Sequence, residues 1–300
     1  MRVAVSGASG LVGSALCDLL RDSGHDVVRM VRGDRRLGLG EIPWDPDAGV
    51  LDKDWLEGCD AVVHLAGENI AAGRWSAAQK ARIRNSRILG TQLVANALKA
   101  CNARPKVFFC ASAVGYYGHR GDAWLDETSG PGRGFLPETC VAWEAAANEA
   151  EAAGIRVVTG RIGVVLSPRG GALAKMLTPF KLGAGGVIGS GRQYWSWITL
   201  PDLAAAILHA LANESLRGAV NLVSPAPATN REFTRALGTA LNRPTILPMP
   251  ALMARVVLGE MANDLLLASA RVRPARLLES GFSFKYPQIA PALKALLARP

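Results

Sequence analysis

Residues 2–32 read RVAVSGASGLVGSALCDLLRDSGHDVVRMVR. The period of this stretch changes twice. Residues 2–7 form a short apolar, β-branched run of the kind that makes a buried strand. Residues 11–25 place leucines at helical spacing (Leu16, Leu19, Leu20), with Gly24 as a stop. Residues 26–32 return to a strand pattern. Between the first strand and the helix stand Gly7, Gly10 and Gly13, spaced G-x-x-G-x-x-G. A tight turn at that point lets backbone amides approach a pyrophosphate at a helix N-terminus, where negative charge is favoured. Gly7, Ser9, Gly10, Leu11 and Val12 are therefore the expected dinucleotide contacts. The competing reading is a purely structural turn.

The end of the second strand selects the dinucleotide. An acidic residue there would bind the ribose 2′-hydroxyl of NAD. This chain has Arg32, whose fixed charge suits a 2′-phosphate. Asp34, Arg35 and Arg36 follow in the loop. The expected cofactor is NADP(H), with Arg32 as its phosphate partner; the alternative for Arg32 is a solvated strand end.

The strand–helix rhythm continues. Strands are expected at 60–67, 106–112 and 155–166, and helices at 76–101, with Ser76 as N-cap, and 137–154. Alternation of this kind implies an α/β fold, a doubly wound parallel sheet of the Rossmann type. After about residue 167 Gly and Pro become frequent and short helical patterns follow. The expected division is a dinucleotide-binding domain at 1–166, to which some later segments return, and a smaller, mostly helical C-terminal substrate lobe at 167–300.

Composition narrows the function. The chain has 300 residues, 49% of them hydrophobic, and a net charge of +9. The basic residues are scattered, with no dense run beyond RGDRR at 32–36, so a nucleic-acid partner is not expected; a phosphate-bearing ligand would use part of the excess. The cysteines (Cys17, Cys59, Cys101, Cys110, Cys140) are odd in number and form no C-x-x-C pair, which fits reduced thiols in a cytoplasmic protein. No metal site is expected, because the histidines are isolated. The longest apolar stretch, LAAAILHALA at 203–212, falls short of the ~20 residues that span a bilayer, so no membrane partner is expected.

Several segments together resemble the extended short-chain dehydrogenase/reductase superfamily: GASGLVG at 7–13, DAVVHLAG at 60–67, ILGTQLV at 88–94, SAVGYYG at 112–118 and WITLPDLAAAI at 197–207. HLAGENI, WEAAA, GGALAKMLTPFKLGAGG and NLVSPAPATNREF narrow the resemblance to an atypical branch, the nucleoside-diphosphate-sugar epimerase-like family, whose C-terminal helical segment is matched by GEMANDLLLASARVRPARLLESGFSFKYP. The resemblance covers nearly the whole chain. It implies that Leu65 and Ala66 pass under the adenosine half of the cofactor, with plain core packing as the alternative. It also implies that Arg82 and Arg87 reach cofactor phosphates, with a solvated basic helix face as the alternative. The implied partner is a small-molecule substrate, a phosphorylated or nucleotide-linked sugar.

Reductases of this superfamily use Ser, Tyr and Lys. The tyrosine exchanges a proton with the reacting oxygen, and the lysine holds the nicotinamide ribose and favours the phenolate. Ser112 matches the serine. Where Tyr-x-x-x-Lys is expected, residues 140–144 read CVAWE. Cys140 and Glu144 share a helix face at i, i+4. An anionic neighbour opposes thiolate formation, so the pair is not read as a replacement for Tyr and Lys. The remaining proton source is Tyr116, with Tyr117 expected to be packed and Asp126 and Glu127 as further candidates. Arg192, Tyr194, Trp195 and Trp197 are read as a surface that stacks on or grips a substrate, or as an apolar plug. The function expected is an NADP(H)-dependent oxidoreductase or epimerase-like enzyme with catalytic residues Ser112 and Tyr116; the alternative is an NADPH-binding regulatory or sensor protein that does not turn over.

Overall fold

Strands buried on both faces read as continuous apolar runs, because no side of the sheet meets water. The computed structural model, which describes residues 1–33 and 37–298, follows this rule. Asp34, Arg35 and Arg36 lie outside the described residues. The strands in chain order are β1 (Arg2–Ser6), β2 (Asp26–Val31), β3 (Glu41–Pro43), β4 (Ala61–His64), β5 (Val107–Ala113), β6 (Trp124–Leu125), β7 (Arg156–Ile162), β8 (Val164–Leu166), β9 (Tyr194–Trp195), β10 (Trp197–Thr199), β11 (Gly218–Leu222), β12 (Ala228–Thr229) and β13 (Arg271–Val272). The principal helices are α1 (Leu11–Asp22), α2 (Ala77–Ala100), α3 (Phe135–Asn148), α4 (Gly171–Lys181), α5 (Leu200–Ala212), α6 (Asn230–Leu241) and α7 (Ala251–Leu258).

Seven strands form one sheet in the order β11-β7-β5-β4-β1-β2-β3. The pairs β1–β2, β1–β4, β2–β3 and β4–β5 are parallel. From β1 the chain runs outward through β2 and β3, then returns to β4 on the other side. The carboxyl ends of β1 and β4 therefore form the topological switch point, where doubly wound sheets bind ligands. The register pairs Ser6 with His64 at that edge. The Rossmann architecture is thus present, with a helical C-terminal region beyond α6. Ser76 caps α2 by accepting the Gln79 amide at 3.1 Å, the role its position implied. β3 was not foreseen: it is three residues long and ends in proline, too short to show a period.

Contacts divide the chain into two compact units. The first comprises Met1–Ser112, Thr139–Gly160 and Ala204–Val220. The second comprises Ala113–Glu138, Arg161–Leu203 and the chain from Asn221 onward. The core of the second unit contains Trp195, Trp197 and Phe233. Trp195 packs on Phe233 at 5.3 Å between ring centroids and donates its indole N–H to the Leu266 carbonyl at 3.2 Å. The Trp197 indole donates to the Ala226 carbonyl at 2.9 Å. Both tryptophans therefore belong to the apolar core of this unit, and Trp195 also lines a cavity in it. Asp202 lies in the first turn of α5. Its buried carboxylate accepts the Thr199 hydroxyl at 2.9 Å and the backbone amides of Lys285 and Tyr286 at 2.7 and 3.0 Å, fastening the C-terminal segment to the start of α5. Among the described residues no helix is long and apolar enough to cross a membrane, and no cluster of three or more His, Cys, Asp and Glu forms a metal site.

Candidate functional site

The glycine loop is built by exclusion of side chains. Gly7 has φ +68°, and a Cβ there would lie 2.9 Å from the Ala66 nitrogen and the Leu65 carbonyl carbon. A Cβ on Gly13 would lie 2.1 Å from the Gly7 oxygen. The Gly7 carbonyl in turn accepts the Gly10 amide at 2.9 Å. The first turn of α1 thus rests directly on the loop, and no side chain caps the helix N-terminus. An open ring of amides at a positive helix end is a cradle for a pyrophosphate. Leu65 and Ala66 lie beneath Gly7, and their amides point to Ser6: the Leu65 N–H reaches Ser6 Oγ at 3.2 Å and the Ala66 N–H reaches it at 3.4 Å.

The arginines differ in setting. Arg32 follows β2, is exposed, and makes no hydrogen bond or ion pair among the described residues. Arg82 lies on the exposed face of α2 and donates to Gln79 Oε1. Arg87 is half-buried, and its Nη1 donates to the Glu68 and Ile83 carbonyls, each at 3.1 Å. Its guanidinium lies 5.1 Å from the Trp143 ring centroid. Arg87 therefore braces the loop that follows β4.

Ser6 Oγ also lies 2.7 Å from His64 Nδ1. Because that oxygen accepts two backbone amides, its own proton goes to Nδ1, and the neutral ring carries its proton on Nε2. His64 is fully buried, Nε2 has no hydrogen-bond partner, and the ring meets Trp44 edge-on at 5.8 Å. Burial pushes its pKa from the ordinary 6.5 down to about 4. A consequence can be measured. The unfolded chain binds a proton at His64 below pH 6.5, whereas the folded chain does so only below about 4. Stability from this group is therefore full above pH 6.5, falls across the window, and levels below 4, a loss of about 3 kcal/mol. Urea unfolding of the wild type and His64→Asn at pH 7 and pH 4 should show the gap between them shrinking at the lower pH. A gap independent of pH would refute the assignment.

At the serine position, β5 ends with Ser112 buried. Its hydroxyl donates to Glu144 Oε1 at 2.7 Å. Ser112 is thus engaged as a donor by the residue that stands where a lysine was expected. Cys140 is buried and in no disulfide, and lies close enough to Arg87 to interact electrostatically. Trp143 between them donates its indole N–H to Thr91 Oγ1 at 2.9 Å.

In the second unit, Tyr116 and Tyr117 part company. Tyr117 is fully buried. Its hydroxyl lies 2.9 Å from the Asp126 carbonyl oxygen and 2.8 Å from Asn221 Oδ1, and accepts from Arg161 Nη1 at 3.0 Å. Burial pushes its pKa up to about 12. It is a packing residue. Tyr116 is half-buried, its hydroxyl has no partner among the described residues, and the Arg161 guanidinium lies 3.4 Å above its ring centroid. Arg161 was not foreseen: it sits within a strand, and only the folded chain brings it to Tyr116. Of the acidic candidates, Asp126 accepts from the Thr128 hydroxyl at 2.6 Å and pairs with Arg273 at 2.6 Å, bonds that hold its pKa down to about 2. Glu127 accepts the Asn221 amide at 3.0 Å, and desolvation raises its pKa. Neither is arranged as an exposed proton donor.

Sheet order, switch point and glycine cradle define a Rossmann-type, dinucleotide-binding class of protein. Comparison with known proteins narrows this. Residues 3–222 match the model of the NAD dependent epimerase/dehydratase family, and residues 249–296 match a domain of unknown function, DUF1731. The chain belongs to the NAD dependent epimerase/dehydratase family. It is 46% identical over 298 residues to the epimerase family protein Mb2239 of Mycobacterium bovis, covering 99% of this chain and 98% of the relative. It is 39% identical over 301 residues to the Homo sapiens epimerase family protein SDR39U1, covering 99% and 100%. A crystal structure of human SDR39U1 (isoform 2) with NADPH superposes with a TM-score of 0.89 at 37% identity, covering 99% of each chain.

Proposed function

We propose that this protein is an NADP(H)-dependent oxidoreductase or epimerase-like enzyme acting on a small-molecule substrate. The observation that carries the reading is the cradle formed by Gly7, Gly10 and Gly13 at the uncapped start of α1. The likeness to the human relative crystallised with NADPH supports the choice of dinucleotide. In this reading Gly7, Ser9, Gly10, Leu11 and Val12 hold the pyrophosphate, and Arg32, exposed and unpartnered among the described residues, takes the 2′-phosphate. Leu65 and Ala66 support the adenosine side. Arg82 lies on the phosphate side, and Arg87 shapes the loop after β4. Bound NADP(H) supplies or accepts hydride.

The chain's own work is with the proton. Ser112, whose hydroxyl donates to Glu144 Oε1, orients the substrate oxygen by exchanging that bond for one donated to the substrate. Tyr116 exchanges the proton with that oxygen, its ring held in place by Arg161. A second reading, an NADPH sensor without turnover, draws on the burial of Cys140 and Glu144 where Tyr and Lys would stand. Deuterium-labelled NADPH separates the two: an enzyme transfers label to a carbonyl acceptor, a sensor binds and transfers none.

The cofactor assignment has its own test. Fluorescence titration should show NADPH binding tighter than NADH. Arg32→Ala should weaken NADPH by about 1.5–3 kcal/mol, the range for hydrogen bonds to a charged group, and leave NADH nearly unchanged. Equal affinities in the wild type would remove Arg32 from the site.

A further inference from the structure

The second unit contains a cavity of about 390 Å³, a size suited to a small molecule. Much of its wall is apolar: Val114, Leu136, Val164 and Leu265 all contribute. A neighbouring hollow of about 540 Å³ shares His119, Arg255 and Leu267 with it. Those three residues are thus common to both hollows.

The polar groups of the cavity include several donors, beside the Asp264 carboxylate and the Asn263 amide. The Ser269 backbone N–H donates to His119 Nδ1 at 3.0 Å, which leaves the proton of the neutral ring on Nε2 and makes that nitrogen a donor. Arg255 donates Nε to Asn263 Oδ1 at 2.9 Å, and its two terminal nitrogens have no partner among the described residues. Arg133, also in the wall, makes no hydrogen bond or ion pair among the described residues. Asp264 contributes a carboxylate, so the wall carries two fixed positive charges against one negative. Few side-chain acceptors remain for a hydroxyl-rich ligand. Ser196, for example, already donates to the Ala270 carbonyl at 2.7 Å and accepts the Val272 amide at 2.9 Å. Tyr194 offers a flat face, backed by Arg271 at 4.6 Å.

We infer that this cavity receives an amphiphilic anion, a carboxylate or phosphate held by Arg133, Arg255 and His119 with an apolar body against the rest of the wall, and not a nucleotide-linked sugar. Planar guanidinium groups pair with carboxylate and phosphate through two parallel hydrogen bonds. A sugar nucleotide would instead bring hydroxyls to an apolar wall and lose their hydration without replacement. The inference rests on the enzyme reading and names its substrate class.

Calorimetric titration of the NADPH-saturated chain tests it, with octyl phosphate, octanoate, octan-1-ol and UDP-glucose as probes. One or both of the octyl anions should bind at least about tenfold more tightly than octan-1-ol, as expected for hydrogen bonds between charged groups; the stronger of the two identifies the head group. Arg255→Gln and Arg133→Gln should each weaken that anion by about tenfold, while NADPH titration in the same variants stays at the wild-type value and reports an intact fold. UDP-glucose binding more tightly than both anions, or arginine variants that bind the anions as well as the wild type, would overturn the proposal. Anion binding in a chain that fails to bind NADPH would leave this site standing and remove the enzyme reading instead.

Discussion

Gly13→Ala is expected to weaken NADPH binding by on the order of 100-fold and to lower the unfolding free energy by about 1–3 kcal/mol, the range for overpacking. In an unconstrained helix the same change stabilises, since alanine is favoured over glycine by about 1 kcal/mol. Here the added methyl would stand 2.1 Å from the Gly7 oxygen and 2.8 Å from the Ala8 Cα. Both neighbours are backbone and cannot rotate away. Either α1 lifts or the turn opens, and either change disperses the amides that form the cradle. Gly90 in α2 supplies the control: a Cβ there meets only the His64 ring, at 3.8 Å. Gly90→Ala should therefore hold or raise stability and leave NADPH affinity unchanged. Thermal unfolding and fluorescence titration of both variants decide the matter. Gly13→Ala with wild-type affinity would mean that the loop does not bind the cofactor.

The glycine loop was legible because its signal is local. Strand, glycines and helix lie within residues 2–22, and each reports its own conformation. The apolar runs of β4 and β5 were legible for the same reason: burial on both faces removes polar residues from the run itself. What could not be read were pairings made by side chains distant in sequence. Glu144 was recognised as an unusual neighbour for Cys140, but its bond to Ser112 depends on α3 packing beside β5. Arg161 lies in the apolar run of β7, where its charge looks out of place until Tyr116 and Tyr117 are seen to surround it. The tautomer of His119 is set by the amide of Ser269, far along the chain. The segment Tyr194–Trp197 divides. Both indole N–H groups are answered by backbone carbonyls of the same unit, the usual way to bury a tryptophan, yet Tyr194 and Trp195 also line the cavity of that unit.

Tyr116→Phe is expected to lower the rate of hydride exchange between labelled NADPH and a carbonyl acceptor by about 10²–10⁴, the range for general acid–base catalysis, with NADPH affinity retained. The hydroxyl of Tyr116 has no partner among the described residues, whereas that of Tyr117 is held by groups around it. Removing the first should leave the fold intact, because the ring and its contact with Arg161 remain. Removing the second should reduce stability, since Arg161 loses an acceptor and the Asp126 carbonyl and Asn221 Oδ1 lose the one proton that lies between them. Cys140→Ser should change the rate little, because the side chain is buried and the substitution nearly conserves its size. Arg161→Gln separates position from charge. It removes the cation stacked on Tyr116, and the exchange rate should fall while the Tyr116→Phe background shows no further loss. Were Cys140→Ser inactive and Tyr116→Phe fully active, the proton would have to travel through the thiol, and α3 would hold the catalytic acid after all.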